Sequence, residues 1–317
     1  MARRAVDGIF LLDKPLEVSS NGILQRVRWL YQAEKAGHTG ALDPLASGLL
    51  PICFGEATKF SQFLLDTDKT YEVSARFGIR TDTSDAAGEV IATRPVEFDQ
   101  AMLEAAVVAM RGPQLQVPTM YSALKYQGQP LYKYARQGIT VPRDARPIEI
   151  FRFELLAFDG QDARFIVHCS KGTYIRTLID DLGETLGCGA YVTALRRVQV
   201  GPFDASQMRP TEALIPLNDA ADFAALDALL LPMDYALQNL SRVDLTAAEL
   251  ARLRHGQTVL VHDGLATQIG QTPTDAIRLY GPEQQFAGIA SLLHQEGCAT
   301  ELKVRRLLST KDLTSAN

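Results

Sequence analysis

The 317 residues, 46% of them hydrophobic, suffice for one large domain plus a small one, or for two of medium size. No apolar run approaches the ~18–20 residues of a membrane-crossing helix, and the early run 9–12 is too short for an export signal, so a cytoplasmic protein is expected. A net charge of −5 would argue against a nucleic-acid partner, but the charge is unevenly spread. Residues 203–250 hold eight acidic and two basic side chains, whereas 119–152 hold six basic ones (Lys125, Lys133, Arg136, Arg143, Arg146, Arg152) against Asp144 and Glu149. The four cysteines, Cys53, Cys169, Cys188 and Cys298, form no CxxC pair and lie at no metal-ligand spacing with a histidine, so reduced thiols and no metal site are expected.

Along the chain, 8–12 reads as a short buried strand ending at Asp13-Lys14-Pro15. Ser19 or Ser20 then caps a helix with Ile23, Leu24, Val27 and Leu30 on one face. Residues 36–48 hold three glycines and a proline and read as a loop. Residues 56–65 read as helix. Residues 70–78 alternate, with Tyr71, Val73, Ala75 and Phe77 on one face, the pattern of a half-buried strand. The periodicity points Tyr71 inward without distinguishing core from cleft. An amphipathic helix follows at 99–110, then strands at 148–158 and 163–169, a helix at 173–186 and a strand at 191–200. Residues 217–231 read as one acidic helix. Beyond about 239 come a helix at 247–254 and brief strands separated by Gly256, Gly264, Gly270 and Gly281, with a frayed polar end at 309–317. Strands that run in sequence pairs favour an α+β fold over a doubly wound sheet.

The loop GHTGALDPLASG (37–48) is the strongest candidate for chemistry. Its glycines permit close approach of a ligand, and Pro44 bars helix at Asp43. An aspartate held this way can project its carboxylate into a cleft, although Asp-Pro also begins many ordinary turns. No GK[ST] follows, which excludes a Walker-type phosphate loop. Arg176, on its own spacing, could be an i,i+4 surface partner of Asp180.

The same loop, continued by LPICFGEATK (50–59), resembles the signature of the TruB family of pseudouridine synthases. So do LLDKP (11–15), KTY (69–71), TDTSD (81–85), MYSALK (120–125), CSKGTYIR (169–176) and ALRR (194–197), in the family's order over residues 9–200. After about 205 the likeness is weaker. The resemblance implies a mainly antiparallel catalytic sheet in 1–239, an RNA-binding insertion at 119–152, and a small β-rich, PUA-like domain in 240–317. It implies isomerisation of uridine 55 in the tRNA T-loop, with tRNA as the partner, no membrane, and neither cofactor nor metal. By resemblance Asp43 is the nucleophile, Arg176 its charge partner and Tyr71 the residue that stacks on the uracil and serves as a base. His38, Tyr174, Leu195 and Lys14 match substrate-binding positions.

The residues suit this chemistry. Breaking a glycosidic bond calls for a carboxylate beside the anomeric carbon, and an arginine within reach keeps that carboxylate ionised in a drying site. A stacked base must be flipped out, and the interleaved Tyr121, Tyr126, Tyr132 and Tyr134 with Lys125, Lys133 and Arg136 suit exposed bases and phosphates. Gly128, Gly138, Pro130 and Pro142 punctuate the insertion, so it is expected to move without RNA. In the C-terminal part, Arg252, Arg254, Arg305 and Arg306 are candidate RNA contacts. Two other readings compete: a non-catalytic RNA-folding protein, which the presence of Asp43, Tyr71 and Arg176 together argues against, and a glycoside hydrolase. The latter would need a second acid, and the nearest, Glu56, fits a helix start. A monomer is expected, since a long asymmetric RNA needs one site.

Overall fold

The computed structural model describes residues 3–269, 276–293 and 300–309. Its frame is a mixed sheet. The strands are β1 (Gly8–Lys14), β2 (Ala36–His38), β3 (Ala46–Phe54), β4 (Lys69–Phe77), β5 (Gly112–Gln116), β6 (Arg146–Phe158), β7 (Asp162–Cys169), β8 (Ala190–Val200) and β9 (Phe203–Asp204). They lie in the order β1-β3-β8-β4-β7-β6-β5, with β2 on β3 and β9 on β8. All pairs are antiparallel except β8 with β3, which run parallel through Leu195 opposite Ala46. The alternation in β4 places Tyr71, Val73, Ala75 and Phe77 in one core with Phe153, Phe165, Val192 and Leu195.

Two helices close this core. α2 (Gln100–Ala109) starts at Asp99, whose carboxylate accepts from the Met102 amide, and buries Leu103 and Val107. α3 (Ile175–Thr185) buries Ile175, Leu178, Ile179 and Leu182. α1 (Ser20–Leu30) is capped by Ser19, which accepts from the Gly22 amide, and covers the other side of β1 and β3 with Ile23, Leu24, Val27 and Leu30.

A second, five-stranded sheet is built from Arg242–Asp244, Ile277–Tyr280, Phe286–Leu293, Glu301–Leu307 and Val259–Leu260, in that spatial order. It has its own core around Val243, Leu250, Ile277, Leu279 and Leu302. A small cluster of Phe60, Leu237, Phe286, Ile289 and Leu308 joins it to the first sheet, with the Phe60 and Phe286 rings edge-to-face at 5.2 Å.

The expected α+β architecture holds, with local differences. The 36–48 loop is shorter than expected, because 36–38 and 46–48 pair into strands and leave only 39–45 free of the sheet. Residues 56–65 begin as a 3₁₀ turn (Gly55–Phe60) before Ser61–Leu65 become α-helical. The helix expected over 217–231 breaks into Ile215–Asp219 and Phe223–Asp227, because Ala221 adopts φ 53° and no α-helix continues through a left-handed residue. Gly264 lies inside a helix, Asp263–Ile269, rather than between strands. Residues 146–152 of the basic segment form part of β6. Gly270 and residues 310–317 lie outside the described residues.

Candidate active site

The loop 39–45 hangs between β2 and β3 and is pinned at nearly every residue. The Thr39 amide donates to the Pro51 carbonyl at 3.1 Å. The Ser20 hydroxyl donates to the Leu42 carbonyl at 2.9 Å and accepts from the Leu42 amide at 2.8 Å, at the start of α1. The Ala46 amide donates to the Asp43 carbonyl (3.0 Å), and the Glu17 amide to the Pro44 carbonyl (2.8 Å). Lys14, fully buried at the end of β1, donates its ammonium to the Pro15 and Ala46 carbonyls at 2.8 and 2.6 Å. Held at these points, the loop presents the Asp43 side chain into a cavity of about 330 Å³, within the range of small-ligand sites.

Asp43 is gripped from α3. Arg176 stands in the first turn of that helix with its side chain only 5% exposed, and its Nη2 lies 2.9 Å from Asp43 Oδ2. The same guanidinium reaches Asp85 Oδ2 at 3.3 Å through Nη1 and donates to the Thr83 and Tyr121 carbonyls at 3.2 and 2.9 Å. Asp85 is buried, and its other oxygen accepts from the Thr83 hydroxyl (2.6 Å) and the Ala87 amide (3.0 Å). One arginine therefore neutralises two carboxylates and ties down two backbone segments. The i,i+4 alternative does not form: Asp180 is held by Arg80, at 2.7 and 3.0 Å.

The electrostatics of Asp43 are a contest. Its side chain is 40% exposed at the cavity mouth, yet protein surrounds it at longer range. Burial pushes its carboxyl above the usual aspartate range, Arg176 pulls it down, and Asp85 pushes it up again, with a net upward shift. Arg176 thus limits a rise that the drying of the site would otherwise make larger.

The cavity walls come from the sheet. Tyr71 on β4 and Leu195 on β8 line it, and both also belong to the core. Inward therefore means core and cleft together. Tyr174 also lines the cavity; Gln116 holds the Tyr174 backbone at two points, accepting from its amide at 2.8 Å and donating to its carbonyl at 3.1 Å. Tyr121, Ser122 and Ala123 of the insertion complete the rim. Two of the expected substrate contacts lie elsewhere. Lys14 is buried behind the loop and braces it, away from the cavity wall; its side chain is satisfied by carbonyls, and burial lowers its pKa to about 8. His38 sits on β2 outside the cavity lining, with Nδ1 lacking a partner, and burial and Arg197 lower its pKa.

Sequence alone assigned no role to Asp85, Gln116 or Arg197, although Asp85 and Arg197 fall within recognised motifs, and it offered Ser20 only as a helix cap. Burial was the missing signal, since motif strings carry no depth. The insertion is a small two-stranded hairpin, Lys125–Tyr126 with Gln129–Pro130, followed by the helix Leu131–Ala135. Tyr126 and Tyr134 meet edge-on at 5.9 Å, Arg136 lies over Tyr132 at 5.5 Å, and the Tyr121 hydroxyl donates to Asp82 at 2.9 Å. A larger groove of about 1050 Å³ runs between the two sheets past Lys59, Asp68, His168, Arg305 and Arg306. Its lining, among the described residues, holds no carboxylate paired with a buried arginine, as Asp43 is with Arg176. Among the described residues no group of His, Cys, Asp and Glu is placed to hold a metal ion.

The architecture has solved counterparts. Over 95% of this chain and 84% of the other, the fold superposes on the protein in "Crystal Structure of a Cbf5-Nop10-Gar1 Complex" with a TM-score of 0.71 at 24% identity. The chain in "Structure of H/ACA RNP bound to a substrate RNA containing 2'-deoxyuridine" gives 0.71 at 22% identity, covering 96% and 86%. At that identity the likeness concerns the fold alone: a mixed, mainly antiparallel sheet with a β-rich C-terminal unit.

The sequence goes further. Residues 28–175 match the TruB family pseudouridylate synthase N-terminal domain, 176–238 the tRNA pseudouridylate synthase B C-terminal domain, and 241–308 the C-terminal region of pseudouridine synthase II TruB. The match therefore reaches well beyond residue 205, where the likeness had looked weak. The tRNA pseudouridine synthase B of Shewanella sp. (strain MR-4) is 51% identical over the whole of both chains, and that of Sodalis glossinidius (strain morsitans) is 56% identical over 88% of this chain and 91% of its own. The chain belongs to the TruB family and is a tRNA pseudouridine synthase.

Proposed function

We propose that the chain isomerises uridine 55 of the tRNA T-loop to pseudouridine, with Asp43 as nucleophile. The observation that carries this reading is the Asp43 carboxylate, held 2.9 Å from a buried arginine at the mouth of a cavity sized for one nucleoside base. A target base leaves the RNA stack and enters among Tyr71, Leu195 and Tyr174. Tyr71 stacks on the uracil and serves as a base. Arg176 keeps Asp43 ionised as water leaves. Lys14 acts from behind, fixing the Ala46 end of the loop, and His38 serves the RNA outside the cavity. The tyrosine- and arginine-bearing insertion closes over the T-loop.

Neither cofactor nor metal has a part in this chemistry. The catalytic unit is placed in 1–239 and a β-rich, PUA-like unit in 240–317. The protein acts as a monomer in the cytoplasm; an apparent mass of twice 34.8 kDa in solution would contradict this. Among the described residues no helix is long and apolar enough to cross a membrane. The test of position is a tRNA transcript with uridine 55 replaced by cytidine, compared with the unchanged transcript. Pseudouridine should form at 55 in the second and nowhere in the first; formation at another uridine in either would overturn the assignment.

A further inference from the structure

Arg197 is the largest fully buried side chain among the described residues, 1% exposed, and it lines the cavity. Its Nε donates to the Leu49 carbonyl at 2.7 Å and its Nη2 to the Gly40 carbonyl at 2.9 Å. Gly48, at φ 98°, lets the Arg197 backbone lie against β3: a Cβ there would come 2.3 Å from the Arg197 carbonyl oxygen. The other buried arginine of the site, Arg176, has two carboxylates; Arg197 has no ion pair among the described residues. A guanidinium stays charged at any relevant pH, and burying a charge without a counter-charge is costly. The fold retains such a cation beside the reaction site.

The side chain that faces it is Tyr71. Arg197 on β8 and Tyr71 on β4 are direct cross-strand partners, and both line the cavity. Tyr71 is an acidic group close enough for its charge to act on Arg197. Seen from Tyr71, the facing groups are Arg197 from β8, Cys169 from β7 and Asp43 from the loop, with Lys69 on its own strand. Burial pushes the Tyr71 phenol up; Arg197 pulls it down, while Cys169 and Asp43 push it up. Lys69 spends its ammonium on the Leu64, Leu65 and Thr67 carbonyls. Arg197, by contrast, is Tyr71's direct cross-strand partner and shares the cavity lining with it.

We propose that Arg197 is a positioning residue that acts through Tyr71: it fixes the hydroxyl and supplies the counter-charge for a transient phenolate. This rests on the reading of Tyr71 as the base. Isomerisation moves the glycosyl bond from N1 to C5 of one uracil, so N1 gains a proton and C5 loses one. Tyr71 passes its phenolic proton to N1 as the N–C bond breaks. It then takes the C5 proton after the C–C bond forms, and ends as it began. Between the two transfers the phenolate is paired with Arg197.

The test is a double-mutant cycle on single-turnover rates with tRNA: wild type, Tyr71→Phe, Arg197→Met and the double variant, with tRNA affinity and melting temperature measured for each. Arg197→Met should slow the wild type about 10²–10³-fold, the scale of a lost general base, and the Tyr71→Phe enzyme by less than about threefold. Arg197→Lys, which keeps the charge, should recover part of the rate with unchanged affinity. If Arg197→Met slows both backgrounds equally, Arg197 merely braces the loop and the proposal fails. If Tyr71→Phe turns over like wild type, the reading of Tyr71 as base fails instead. Should Arg197→Met not fold, Arg197→Lys takes its place in the cycle, and equal losses in the two backgrounds again overturn the proposal.

Discussion

Replacing Arg176 by methionine separates two consequences of one side chain. In the fold, Asp85 is left buried, with its Oδ2 facing no cation. Breaking a buried ion pair on one side costs about 3–5 kcal/mol. The Thr83 hydroxyl and Ala87 amide still serve the other oxygen, which favours the lower end. At about 2–4 °C per kcal/mol for a chain of this size class, melting should fall by roughly 6–12 °C. Adding Asp85→Asn should restore most of that loss, since the orphaned charge is gone, and should restore none of the activity.

At the site, Asp43 loses the cation that opposes its upward shift. An ionised Asp43 is required, so the rate falls as pH drops through its pKa. The acid limb of the residual single-turnover rate should therefore move to higher pH. Calorimetry and a pH series of quenched reactions measure both effects. A melting temperature within about 1 °C of wild type, or an acid limb that stays in place, would refute the account of Arg176.

Other outcomes follow from the same geometry. Because burial raises the Asp43 pKa above its unfolded value, the folded state holds that proton more tightly and the charged carboxylate costs stability above the folded pKa. Asp43→Asn should therefore melt no lower than wild type at neutral pH while losing turnover, with the advantage shrinking as pH falls toward the carboxylate range; a marked loss of stability would contradict this. Gln116→Leu removes both clamps on the Tyr174 backbone and strands its amide, while its carbonyl keeps the Leu178 amide at 3.0 Å; an unpaired buried group costs about 1–3 kcal/mol, so lower stability and weaker tRNA use should appear together in melting and kinetic assays. Limited proteolysis should cut within the insertion near Gly128 or Gly138 in the free protein and be suppressed by tRNA. Equal cleavage with and without tRNA would count against closure of that segment.

Most of the frame was legible in the sequence because the two periods are strong. The Tyr71-to-Phe77 alternation and the Ile175-to-Leu182 stripe each fall on one face and are buried as expected. The glycine-proline setting marked Asp43 as a candidate but fitted an ordinary turn as well, and its role as nucleophile rested on the resemblance to the TruB signature. What escaped depended on depth and on partners distant in sequence. Lys14 matches a substrate-binding position by resemblance alone, and only the pairing of β1 with β3 reveals that its ammonium reaches the Ala46 carbonyl. Asp180 has the spacing to pair with Arg176, but Arg80, a hundred residues away in the chain, reaches it first. Ala221 has a composition that permits helix, and its left-handed backbone is set by packing rather than by its own preference.

The central claim, an aspartate-dependent isomerisation, is tested most directly by tritium release from tRNA transcribed with uridine labelled at C5, using wild type and Asp43→Ala without added metal. Wild type should release one tritium per tRNA and leave a nucleoside of unchanged mass, and Asp43→Ala should be slower by about 10⁴-fold or more, about 5–6 kcal/mol of barrier. Release by Asp43→Ala at the wild-type rate, or tRNA binding by wild type without any release, would contradict it.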